Sequence, residues 1–62
     1  MKIKQIQMII EYYIVNDNMP LHYSILANEL NILVPNVRRV LGQGTLKGIF
    51  KRVSSGTYKF NI

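Results

Sequence analysis

Apolar residues at Ile3, Ile6, Ile10, Tyr13 and Ile14 recur at helical spacing, with Lys2, Lys4, Gln5, Gln7 and Glu11 between them. This pattern predicts an amphipathic helix over about residues 3–15. Asn16-Asp17-Asn18 and then Pro20 end it, because Asx residues favour turns and the residue before a proline avoids the α region. Met8, Ile9 and Tyr12 fall beside the stripe. They either thicken the core, which is the preferred reading, or leave an apolar flank that would serve a homodimer through the first helix.

Leu21 is expected to make a short extended contact. A second helix follows over about 22–30, opened by His22 or Tyr23, with Leu26, Ala27 and Leu30 on its inner face. Asn31 ends it, since Asn tolerates the left-handed conformation better than most residues, and Ile32 returns to the core. Pro35 suits the first turn of a third helix over about 35–47, whose inner face is Val37, Val40 and Leu41. Its glycines leave two ends open, one near Gly44 and one at Lys47 with Gly48 as the stop. The second is favoured because the strand pattern starts directly after Gly48. Gly44 then occupies a place that ordinarily carries a large apolar side chain, with Leu46 nearby as a substitute. Ile49–Val53 and Thr57–Asn61 are β-rich around the turn cluster Ser54-Ser55-Gly56, which predicts a hairpin over about 49–61. Phe50 and Val53 cannot share a face by strict alternation, so a bulge or an early strand end is expected. The fold class is therefore α+β, with three helices and a C-terminal two-stranded hairpin in one domain over residues 1–62.

A chain of 62 residues buries only about 60% of its unfolded surface, so its core must be efficient. A hydrophobic content of 48% allows that. There is no cysteine, which excludes disulfides, thiolate metal sites and a cysteine nucleophile. No stretch reaches the roughly 18 consecutive apolar residues of a membrane helix, and the N-terminal segment lacks a signal-peptide pattern. The expectation is a soluble cytoplasmic protein with no membrane partner, nucleoid-associated or, in a eukaryote, nuclear.

Charge placement changes the picture more than its total of +5. Residues 1–30 carry Lys2 and Lys4 against Glu11, Asp17 and Glu29, a net of −1. Residues 31–62 carry Arg38, Arg39, Lys47, Lys51, Arg52 and Lys59 with no acidic residue, a net of +6. The whole excess falls on the third helix and the hairpin, the pattern of a surface for a polyanion.

Two short helices joined by a tight turn and followed by a basic ribbon resemble the winged helix-turn-helix superfamily over nearly the whole chain. The resemblance rests on three stretches: Leu26-Ala27-Asn28-Glu29-Leu30-Asn31-Ile32, Asn36-Val37-Arg38-Arg39-Val40-Leu41, and Gly48-Ile49-Phe50-Lys51-Arg52-Val53 closing on Gly56-Thr57-Tyr58-Lys59-Phe60. The last stretch is similar to the wing of HARE-type winged helices and of linker-histone globular domains. Family members usually carry Gly in place of Asn31 and Leu in place of Gly44. The resemblance implies double-stranded DNA as partner, with the third helix in the major groove, the wing on phosphates and a role in transcription regulation.

The residue types agree. Asn36, Arg38, Arg39 and Gln43 fall on the outer side of the third helix; Arg reads guanine bidentately, and Asn or Gln reads adenine. Lys47 extends the basic side. Lys51, Arg52 and Lys59 flank the hairpin tip, where they would neutralise phosphates or protect an edge strand. Catalytic groups are sparse: His22 and Ser24 share a helix N-terminus, where both commonly act as caps. One His with scattered Asp17 and Glu29 cannot make a zinc site of the usual composition. Gly42-Gln43-Gly44 lacks the Lys-Ser/Thr of a phosphate-binding loop. No enzyme, metal, cofactor or small-molecule ligand is expected. The alternative reading is an adaptor of the same fold that binds another protein.

Overall fold

The computed structural model describes residues 4–62. The periodicity predicts three helices, and the described residues form three: α1 (Gln5–Val15), α2 (Tyr23–Leu30) and α3 (Val34–Leu46). The expected start of the first helix at residue 3 lies outside the described residues. Strands β1 (Leu21–His22), β2 (Phe50–Ser54) and β3 (Thr57–Phe60) form one antiparallel sheet in the order β1-β3-β2. The hairpin is thus not a two-stranded ribbon. Leu21 pairs with Tyr58 and His22 with Thr57, so the extended contact at Leu21 becomes a third strand on the other edge of β3. This third strand matters because a lone hairpin is marginal in water.

The core is Ile9, Tyr13, Leu26, Ala27, Ile32, Val37, Leu41 and Phe50. It corrects the facing of α1. Ile9, set beside the stripe and read as extra core, is fully buried as that reading has it, whereas Ile14, placed on the stripe, is 59% exposed. The burial line runs Ile6–Ile9–Tyr13, one helical face at i, i+3 and i+7. Tyr13 fixes that facing by reaching across the molecule, its hydroxyl donating to the Tyr58 carbonyl at 2.8 Å. Burial, with a smaller contribution from Tyr58, pushes the Tyr13 phenol well above its ordinary pKa. Leu30 and Val40, expected on inner faces, are only half-buried at the edge of the core.

Local signals explain the corners. Asp17 and Asn18 both adopt positive φ after α1, as Asx residues tolerate. Asn18 then acts as a surrogate strand residue: its amide donates to the Phe60 carbonyl and its oxygen accepts the Phe60 N–H, each at 2.7 Å. Asn31 ends α2 in the left-handed conformation, and the Ile32 N–H returns to the Ala27 carbonyl at 3.0 Å. Pro35 sits in the first turn of α3, where its missing N–H costs nothing.

α3 takes the longer of its two courses. Gly48 (φ +79°) stops it, and the Ile49 N–H folds back to the Gly44 carbonyl at 2.8 Å. Gly44 is buried because the ring of Phe50 lies on it; a Cβ there would run into that ring. The substitute for a large residue at 44 is therefore Phe50, not Leu46, which is 89% exposed. Phe50 also meets Tyr13 and Phe60, with ring centroids 5.9 and 6.3 Å apart. The expected bulge is present as a register shift between Arg52 and Ser54, which leaves Phe50 inside and Val53 42% exposed. Among the described residues, no helix is long and apolar enough to cross a membrane.

Candidate nucleic-acid interface

Arg38 and Arg39 leave α3 toward different flanks, and the basic residues divide accordingly. The larger recess, about 590 Å³, lies between the start of α3 and the β2–β3 hairpin. Pro35 and Arg38 form its α3 wall, His22 and Tyr23 its floor at the start of α2, and Arg52, Tyr58 and the Ser55-Gly56 turn its hairpin wall. Two arginines from distant parts of the sequence thus line one groove. Strand alternation puts Arg52 and Tyr58, paired in register, on the same face as Phe50 and Phe60, which is the face toward the helices.

The floor of this groove is held firmly. The Arg38 guanidinium stands 5.3 Å from the centroid of the Tyr23 ring, a cation–π contact, and Tyr23 stacks on His22 at 4.1 Å. His22 Nδ1 accepts the Ser24 amide N–H at 3.2 Å and lies 2.8 Å from the Ser24 hydroxyl, so the ring caps α2. The hairpin tip rests on the same ring: Gly56 (φ +73°) sits where a Cβ would come within 2.7 Å of His22 Nε2. The Tyr23 N–H donates to the Gly56 carbonyl at 3.1 Å. His22 and Tyr23 therefore tie the hairpin to α2 and position Arg38.

The opposite flank of α3 gathers Arg39, Gln43 and Lys47 around a second recess of about 340 Å³, with Lys4 and Gln5 at the start of α1. Asn36 is half-buried one and two turns before Val40 and Gln43 on that side. Lys51 and Lys59 stand apart from both recesses. They pair directly in register on the hairpin face away from Phe50 and Phe60. Like charges directly opposite are destabilising, so this pair adds nothing to the sheet's own stability.

Sequence pattern did not mark Lys4, His22, Tyr23 or Tyr58 as part of a basic groove. Lys4 belongs to the net-acidic half of the chain, and the other three carry no charge signal. Only their topology brings them to α3. Among the described residues, no three His, Asp or Glu side chains cluster in a way that could hold a metal ion. No buried side-chain nitrogen or oxygen among them lacks a hydrogen-bond partner. What the surface offers is cations beside hydrogen-bonding side chains, with Arg38 held over Tyr23, an arrangement that suits a polyanion. Compared with known protein families, curated proteins and solved structures, the chain matches none.

Proposed function

We propose that this chain is a minimal winged helix-turn-helix domain that binds double-stranded DNA and acts in transcription regulation. The observation that carries the reading is the convergence of Arg38 from α3 and Arg52 from β2 on one groove, in a half of the chain with six cations and no acid. In this reading α3 enters the major groove, where Arg39, Gln43 and Asn36 meet base edges. Arg38, Lys47 and the hairpin cations engage the flanking phosphates, which set register but carry no direct sequence information. The sheet order β1-β3-β2 and the α2–α3 corner at Asn31 support the winged-helix assignment.

The test is duplex binding at two salt concentrations, with and without competitor DNA. Affinity should fall steeply as salt rises, and an enriched sequence should compete better than a scrambled one. Absence of binding even at low salt would reject the reading. One observation favours a second reading, a protein-binding adaptor: Met8, Tyr12, Val15 and Leu30 line a shallow apolar recess on the far side of α1. The same face would serve a homodimer through α1. An adaptor would lose its partner on Tyr12→Ala and be indifferent to Arg38→Ala.

A further inference from the structure

Of the chain's four glycines, Gly42 alone has no use in the fold. Gly44 makes room for Phe50, while Gly48 and Gly56 adopt positive φ. At Gly42 a Cβ would meet nothing within 4 Å, and the backbone is ordinary helix. Glycine in a helix interior weakens the helix, so the position carries a cost that packing does not return. Where no Cβ is present, another molecule can approach the backbone closely. Leu46, one turn further on, is 89% exposed at the C-terminal end of α3, beside the cap residue Lys47 and among the exposed Arg38, Arg39 and Gln43; the other exposed apolar residues of the helix, Val34 and Pro35, lie at its opposite end. Positions 39, 42 and 46 follow i, i+3 and i+7 spacing. They form one line opposite the buried Val37, Leu41 and Gly44.

We infer that α3 meets duplex DNA along the Arg39–Gly42–Leu46 line, with bare backbone at Gly42 against the groove and Leu46 covering a thymine methyl. The inference rests on the DNA-binding reading and adds which line of the helix enters and what it selects. The partner is fixed by chemistry. The surrounding cations call for a polyanion, and an apolar side chain among them calls for an apolar group displayed by that polyanion. In the major groove that group is the thymine C5-methyl, which uracil lacks.

The experiment selects a preferred duplex with the wild-type chain. It then measures wild type, Gly42→Ala and Leu46→Ala on that duplex and on its deoxyuridine counterpart. Gly42→Ala should melt about 4–8 °C higher than wild type and bind about tenfold more weakly, because the added methyl helps the helix and crowds the contact. Wild type should lose about fourfold in affinity per covered methyl on the deoxyuridine duplex. Leu46→Ala should be weaker on the thymine duplex and indifferent to methyl removal. Wild-type affinity in Gly42→Ala, a lower melting temperature for it, or undiminished methyl sensitivity in Leu46→Ala would each overturn the inference while leaving DNA binding intact. If wild type selects no duplex at all, the DNA-binding reading falls and this inference falls with it.

Discussion

Arg38 and Arg39 are neighbours in sequence with different tasks in the structure. Arg38 is held over Tyr23 beside the hairpin, while Arg39 is exposed on the flank shared with Gln43 and Lys47. Arg39→Ala should cost about 1–3 kcal/mol on the preferred duplex and relax specificity at one base pair. Arg38→Ala should weaken cognate and scrambled duplexes alike. Neither change should unfold the domain, since an exposed cation–π contact is worth only about 0.5–1 kcal/mol. Binding isotherms on both duplexes, paired with thermal melts, check this; wild-type affinity in both variants would remove α3 from the interface. Tyr13 makes a second residue-scale prediction, through pH. Its phenol is favoured neutral in the folded state, so its pKa is raised on folding. The stability this supplies is complete below the ordinary tyrosine value near about 10, and is lost as pH climbs through the higher folded value. Tyr13→Phe should cost about 0.5–1.5 kcal/mol at neutral pH through the lost hydrogen bond to Tyr58, and should lose less stability under alkali. Denaturant midpoints between about pH 8 and about pH 11 would show the two curves converging; parallel curves would mean that Tyr13 is not the group that titrates.

At the scale of elements, the most demanding contact is Phe50 on Gly44, because it locks β2 to α3 and both to Tyr13. Gly44→Ala should destabilise by about 1–3 kcal/mol through overpacking, in contrast to the outward-facing Gly42 two residues earlier. In the α2–α3 pair, Leu41→Ala removes a fully buried side chain and should cost about 2–5 kcal/mol, whereas half-buried Leu30→Ala should cost visibly less. Thermal melts rank the three variants, and equal melting temperatures for Leu30→Ala and Leu41→Ala would contradict the packing. The same elements show what was legible in the sequence. Helix limits near Asn16, Asn31 and Gly48 were readable because stop signals are local: an Asx turn, a left-handed Asn, a glycine before a strand. The pairing of β1 with β3, the seating of Phe50 on Gly44 and the turn of α1 that leaves Ile14 outside were not, because each is settled by a partner distant in the chain. The candidate site follows the same division. Its cations could be counted from the sequence, but the groove that joins Arg38 to Arg52 exists only once the hairpin tip rests on His22.

At the scale of the whole molecule, charge and topology act together. The net-acidic half supplies α1, β1 and α2, and the basic half supplies α3 and the hairpin, so the cations of that half are divided among the Arg38–Arg52 groove, the Arg39–Lys47 flank and the outer face of the hairpin. Each phosphate neutralised on binding releases condensed counterions, so the slope of log affinity against log salt counts the contacts, at about 0.9 per phosphate on B-DNA. The three hairpin cations should not count equally. Arg52 shares the helix-facing groove with Arg38, while Lys51 and Lys59 stand opposite each other on the outer face. A duplex seated on α3 would lie nearer Arg52 than the two lysines. Arg52→Ala should therefore lower the slope by about one unit on cognate and scrambled duplexes alike, as expected of a phosphate contact. Lys51→Ala and Lys59→Ala should each lower it by less, and should raise stability slightly by relieving the cross-strand repulsion. Salt titrations of the three variants decide the matter. Larger slope changes for the lysines than for Arg52 would mean that the hairpin meets DNA with its outer face. A loss in Arg52→Ala confined to the cognate duplex would make Arg52 a reader of groove shape rather than a phosphate clamp.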